Sequence, residues 1–210
     1  MRNTRELILQ TALRLFAQKG FEGVSVRDIA GELELTAPAL YVHFKSKQEI
    51  LEAILRRMEV WDAELSEKDN VPSTPLAEAP ESYDQMDISN LMAFTLDMFR
   101  HWTEDTLAVQ FRHLLTIEQY RDKRFATLFQ QYLGQGVIQY LEDIFRANYP
   151  QKDARQLALS FYSPMFFLIG QHDAAMTKKA KSALLLALKK HIQEFMDKLR
   201  LEAYSNYGSN

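Results

Sequence analysis

An all-α fold is predicted for this 210-residue chain by three observations. Glycine and proline are scarce, 7 and 6 residues, against a usual combined share of roughly 12%, so tight turns are few and long helices fit. A capping residue stands three positions before an acid at Asn3 and Glu6, Ser25 and Asp28, and Ser46 and Glu49. At that spacing two side chains satisfy each other's orphan N–H groups at a helix start. Apolar residues then recur at helical intervals from Leu7 almost to the C-terminus. About nine helices follow from these signals.

The first helix carries Leu7, Ile8, Ala12, Leu15 and Phe16 and stops at Gly20, a natural residue for the position just past a helix end. A second runs from Ser25 to about Leu33. A third is capped by Thr36, with Pro38 in its first turn, where the missing N–H costs nothing. Only Glu34 and Leu35 separate the second helix from the third, so the two cross steeply in a helix-turn-helix. On a wheel of about 100° per residue, Leu40 and Phe44 face the core, flanked by Ala37 and Tyr41. Pro38, Ala39, Val42 and His43 point outward, a face that suits a major groove about 12 Å wide.

A fourth helix starts after Ser46 and passes through Leu51, Ile54, Leu55, Met58 and Trp61 to about Leu65. Residues 66–87 hold Pro72, Pro75 and Pro80 among polar residues and read as a loop. The chain therefore divides into a helix-turn-helix domain over 1–47, with helix four (47–65) connecting, the 66–87 loop, and a helical domain over 88–203. In that domain one helix carries Leu91, Phe94, Met98 and Trp102 and the next Leu107, Phe111, Leu114 and Leu115. A long one spans about Asp122 to Asn148. Asp153 caps a helix through His172 that is apolar nearly all round, with Pro164 inside it where a kink is expected. The last helix, from about Lys178 to Leu201, repeats Leu184, Leu188, His191, Phe195 and Leu199 at spacings of four and three. Tyr204 to Asn210 is expected to fray.

Composition excludes several functions. There is no cysteine, hence no disulfide scaffold, thiolate metal site or cysteine nucleophile. The longest apolar run, Ala183 to Leu188, falls far short of the roughly 20 residues of a membrane helix. The N-terminus lacks an apolar signal core, so a soluble cytoplasmic protein without membrane association is expected. GxSxG, P-loop, GxGxxG and HxxxH patterns are absent, so no enzyme, catalytic residue, metal or cofactor is expected.

In order, Thr4-Arg5, Ile8, Ala12, Leu15-Phe16, Gly20-Phe21, Ser25, Ile29-Ala30, Leu35-Thr36, Leu40-Tyr41 and His43 through Lys47 resemble the DNA-binding domain of the TetR family of transcriptional regulators (TetR/AcrR-like). The match covers Thr4 to about Leu51. The resemblance implies an all-α fold with an N-terminal three-helix helix-turn-helix domain and a C-terminal helical ligand-binding and dimerisation domain. It implies a homodimer on double-stranded operator DNA, a repressor released by a small, largely apolar effector.

By the resemblance Tyr41, His43 and Lys47 contact phosphates, with Ser25 and Thr36 contributing hydroxyls or amides. Arg27 is a candidate for a phosphate or base edge, and Ala37, Pro38, Ala39 and Val42 lie on the face toward the groove. Ser25 and Thr36 read equally as caps, and Arg27 as half of a surface ion pair. Two positions depart from the family pattern: Glu34 where glycine is common, and Ala37 where a polar base reader is common. A left-handed backbone at Glu34 would cost roughly 1 kcal/mol. Phe94, Met98, Trp102, Phe111, Phe129, Tyr132, Tyr162, Met165 and Phe166 are the implied ligand-pocket residues, joined by Tyr140. As an aromatic and methionine stripe they also read as plain core. His101, His113, Glu118 and His172 are candidates to orient a ligand. The alternative function is an all-helical small-molecule-binding or adaptor protein without DNA binding.

A net charge of −3 suggests a poor partner for nucleic acid, but it is an average. Residues 1–47 carry seven Lys or Arg against five Asp or Glu, and the remainder 18 against 23. A mildly basic head on an acidic body predicts salt-sensitive binding that is weak off target.

Overall fold

The computed structural model describes residues 4–207, with side chains through Leu201; the Asn3 cap lies outside the described residues. These residues form eleven helices and no strand: α1 (Thr4–Lys19), α2 (Val26–Glu32), α3 (Ala37–Tyr41), α4 (Lys47–Lys68), α5 (Pro80–Asp84), α6 (Asn90–Glu104), α7 (Thr106–Glu118), α8 (Lys123–Leu133), α9 (Gln135–Asn148), α10 (Ala154–Ala174) and α11 (Lys178–Tyr207). The all-α expectation holds, and the two helices beyond nine have local causes.

The long helix expected over 122–148 is two helices. Gly134 takes φ −126° and ψ −117°, which ends α8 and starts α9, so a residue with low helix propensity marks a break in the expected helix. The other addition is α5, inside the segment expected to be a loop. That segment is tied down: Tyr83 is buried and its hydroxyl donates to the Thr74 carbonyl at 2.8 Å. The Leu76 amide donates to Asp143 at 3.2 Å, and Val71 and Met86 are buried. At the C-terminus the backbone is helical as far as Tyr207, into the tail expected to fray. The helix α10 runs on both sides of Pro164.

The chain forms two compact units, residues 1–64 with 104–132 and residues 65–103 with 133–210. In the first, Ile8, Phe16, Leu40, Phe44, Phe111 and Phe125 are almost wholly removed from water. The second packs around Phe145, Phe161 and Phe195, whose ring centroids lie 5.2 to 5.7 Å apart. Aromatic pairs at such separations add to the burial of their surface.

Candidate nucleic-acid interface

The helix-turn-helix is built by caps that follow one another without a spare residue. At the start of α2 the Ser25 hydroxyl accepts from the Asp28 amide at 3.2 Å, while the Asp28 carboxylate accepts from the Ser25 amide at 2.7 Å. The Ser25 hydroxyl proton is itself given to Asp28 at 2.6 Å. These bonds, the hydroxyl's first and the amide's second, hold the Asp28 carboxyl below its ordinary pKa. Ser25 is thus a fully engaged cap, with no hydroxyl proton left for a phosphate.

The end of α2 is a Schellman motif. The Leu35 amide reaches the Ala30 carbonyl at 2.8 Å and the Glu34 amide reaches the Gly31 carbonyl at 3.1 Å. Between them Glu34 adopts φ +56°, the left-handed conformation where glycine is favoured. Thr36 follows at once as the cap of α3, its hydroxyl oxygen accepting from the Ala39 amide at 3.3 Å. Leu40 and Phe44 then anchor α3 in the core at 0% exposure.

That anchoring turns the opposite face outward. Pro38 and Thr36 are exposed, and Ala37, Ala39 and His43 are half-buried. Val42 is 82% exposed and Tyr41 49%, so Tyr41 stands further out than its place beside Leu40 suggested. An apolar side chain as open as Val42 gains little from burial in the folded chain, but it suits contact with a thymine methyl.

The cations of this region divide sharply. Arg5 lies over the Phe44 ring at 4.7 Å and Arg14 pairs with Glu32 at 2.5 Å. The Lys47 ammonium donates to the Phe21 carbonyl at 2.9 Å and to Glu22 at 3.2 Å, and sits 4.6 Å from the Phe21 ring centroid. It is a held charge. Arg27 and Lys45 are exposed and make no side-chain ion pair among the described residues. Lys45 was not singled out in the sequence, although it stands inside the run from His43 to Lys47. Its amide is capped by Glu49 at 2.6 Å, while Ser46 caps the Glu49 amide at 3.1 Å. Glu49 therefore reaches one residue further back than a simple capping box.

The first unit also joins this head to residues far away in sequence. Gly20, with φ +80°, rests on Glu118, and a Cβ there would overlap the Glu118 carboxylate. Glu118 is buried and pairs with Arg121 at 3.4 Å, so it braces the end of α1. Phe21 packs between Phe16 at 4.9 Å and Phe125 at 5.5 Å.

The aromatic residues singled out for a ligand divide between the units. Phe111, Phe129 and Tyr132 fall in the first, Phe111 meeting Tyr132 edge-on at 5.2 Å. Phe94, Met98, Trp102, Tyr162, Met165 and Phe166 fall in the second. Trp102, Tyr162 and Met165 are buried, and the Tyr162 hydroxyl is committed to the Leu133 carbonyl at 2.9 Å. Phe94 and Met98 are half-buried, Phe94 lying 5.8 Å from Tyr140. Phe166 is open to solvent along with Phe167. His101 and His172 are buried, His172 edge-on to Phe99 at 6.0 Å, and His113 is half-buried. In the first unit burial, and then the neighbouring Glu59, push the Asp62 carboxyl up to about 7.

Residues 8–54 match the family model described as bacterial regulatory proteins, tetR family. An uncharacterized HTH-type transcriptional regulator, YuxN of Bacillus subtilis, is 44% identical over 55 residues, 26% of this chain and 19% of that protein. The Tetracycline repressor protein class C of Escherichia coli is 43% identical over 54 residues, again 26% of this chain and 25% of that protein. The matched stretch thus spans about a fifth to a quarter of these relatives' own lengths. A solved transcriptional regulator (TerR/AcrR family) from Aquifex aeolicus VF5 shares the fold over 94% of this chain and 99% of its own. Its TM-score is 0.63 at 21% identity.

Proposed function

We propose that this chain, whose residues 8–54 match the tetR family of bacterial regulatory proteins, is a homodimeric transcriptional repressor. In this reading it sits on a pseudo-palindromic operator and is released by a small, largely apolar effector. The observation that carries the reading is the outward face of α3. Two side chains buried at 0% anchor five residues of helix whose opposite side shows Pro38, Tyr41 and Val42 to solvent.

Tyr41, His43, Lys45 and Arg27 supply the phosphate contacts that fix register, and Ala37, Pro38, Ala39 and Val42 meet base edges. Lys47 adds a phosphate contact from the start of α4, and Thr36 has a hydroxyl proton to give. Ser25 acts as a cap. So short a helix reads few base pairs, so two copies on half-sites about one helical turn apart give useful specificity. The second unit supports pairing: Leu159, Phe166 and Phe167 on α10 and Leu186 on α11 are exposed apolar residues, and large apolar patches mark interaction surfaces. Apolar residues of the second unit, Trp102, Tyr162 and Met165 among them, receive the effector, which shifts the dimer population toward a form with misplaced recognition helices. No described helix is long and apolar enough to cross a membrane, in keeping with a cytoplasmic protein.

The test is selection of bound sequences from random DNA by the purified chain, followed by anisotropy titration of the enriched duplex. Selective, salt-sensitive binding that is lost in the His43→Ala, Lys47→Ala double variant is the expected result. Equal affinity for enriched and random DNA would overturn the reading.

A further inference from the structure

Phe21 is where three parts of the first unit meet. Its backbone carbonyl and its ring both hold the Lys47 ammonium, at 2.9 and 4.6 Å. On the same ring, at 4.9 Å, lies the guanidinium of Arg124, from the first turn of α8. Arg124 also covers Phe125 at 4.9 Å and donates from Nη1 to Gln48, the residue after Lys47. Its backbone amide is fixed by Asp122 at 2.7 Å, with the Asp122 carboxylate 3.7 Å from Nη2. Two cations on one buried ring is not an arrangement that mutual repulsion favours. It persists because Glu22 and Asp122 each stand beside one of them and because the ring itself attracts both.

We infer that Arg124, 77 residues beyond Lys47 in sequence, is a positioning residue for DNA binding: it clamps Phe21 and Gln48 and so holds the Lys47 ammonium at a fixed place beside the reading head. The inference rests on the DNA-binding reading above. An ammonium has three N–H donors. Phe21 and Glu22 take two, which leaves one to meet a phosphate from a position already set, so less side-chain freedom is lost on binding. The Arg124 Nε–H is buried without a hydrogen-bond partner, a cost that a shape-matched clamp bears and a merely solvated arginine would not incur. A lysine at 124 would lack the flat fork that lies on two rings while bonding Gln48.

The experiment compares the unaltered chain, Arg124→Gln, Lys47→Ala and the double variant on the enriched duplex at several salt concentrations, with thermal melts beside each titration. Arg124→Gln is expected to weaken binding about tenfold, the equivalent of one charge-assisted hydrogen bond. The slope of log affinity against log salt should fall by about 0.9 per recognition helix, as for one lost phosphate contact. Lys47→Ala should match both effects, and the double variant should bind no more weakly than Lys47→Ala alone, because Arg124 acts only through Lys47. A merely structural arginine would lower the melting temperature and leave the salt slope alone. If Arg124→Gln fails to fold, Phe125→Leu loosens the same stack and must show the same loss of slope. Additive effects in the double variant, or an unchanged slope in the folded single variant, would overturn the inference while the DNA-binding reading stands. No selective binding by the unaltered chain would overturn both.

Discussion

In the first unit Ser25, Thr36 and Ser46 each bond an amide three residues further along the chain. In the second the Asp143 carboxylate holds the amide of Leu76, 67 residues away, and the Tyr162 hydroxyl holds the Leu133 carbonyl, 29 residues away. Both units bury aromatic cores. The three caps around α3 bond within three residues, whereas the Asp143 and Tyr162 ties reach much further along the chain. Short-range caps fix the ends and angles of short helices independently of tertiary packing, which suits a head that must present α3 the same way each time. Long-range ties form only once the surrounding helices are packed, so their loss should be felt over a wider region.

The group that fits neither pattern is expected to give the largest effect. Asp62, in the first unit, is half-buried, has no hydrogen bond among the described residues, and has its carboxyl pushed up to about 7 by burial and by Glu59. Its folded pKa exceeds the unfolded value of 3.8, so between those two values the native state binds more protons than the unfolded one. Stability therefore falls as pH rises from about 4 to about 7 and levels off above. At about 1.4 kcal/mol per unit, the loss approaches about 4 kcal/mol. Asp62→Asn should be near neutral at pH 4 and stabilising above pH 7, seen as a difference in urea midpoint that widens across that window. A difference independent of pH would show that Asp62 is not buried as an acid.

Next in size is the long-range tie itself. Asp143 accepts from Leu76 at 3.2 Å and from Gln139 at 3.1 Å and lies 3.8 Å from Arg146. Asp143→Ala leaves the Leu76 amide without its partner and should cost about 1–3 kcal/mol. It should also speed amide exchange at Leu76 and around Tyr83, while the amides of α2 and α3 keep their protection. Exchange that quickens equally in both units would erase the contrast between them.

The same contrast decides what could be read from the sequence. Gly20, Ser25, Thr36 and Asp153 announce helix ends because a cap needs only its own neighbours, and all four act as read. Leu40 and Phe44 were assignable to the core because a wheel needs only the helical period. Gly134 could not be read as a break, since the apolar pattern continues through it and only its backbone angles end α8. The Pro-rich segment read as a loop because its anchors, Asp143 and the Thr74 carbonyl, give no local sign. Lys47 was recognised as a cation of the head, but Phe21, Glu22 and Arg124 around it lie 26, 25 and 77 positions away, beyond any pattern a single helix carries.

A smaller effect is expected at a single cap. Ser25→Ala removes the acceptor for Asp28 and should cost about 1 kcal/mol, and Ser25→Gly a few tenths. Chemical denaturation distinguishes the two. A loss well above about 2 kcal/mol would mean that Ser25 supports more than its own helix start.

The smallest effect is the sharpest probe of how local the head's chemistry is. Glu34 sits at φ +56°, where a Cβ costs roughly 1–2 kcal/mol, and Glu34→Gly removes that strain. Glycine also has more freedom to lose on folding, at a cost of roughly 0.5–1 kcal/mol, so the net gain should be a few tenths to about 1 kcal/mol. Glu34→Ala keeps the Cβ and should leave stability unchanged. Both variants remove the same carboxylate from the turn before α3, so any rise in DNA affinity from lost repulsion should be equal in the two. Stability separates backbone strain from charge: if the glycine and alanine variants melt together, the left-handed turn carries no strain. If they differ by the stated amount while binding DNA alike, the turn is a local device that costs stability without setting affinity.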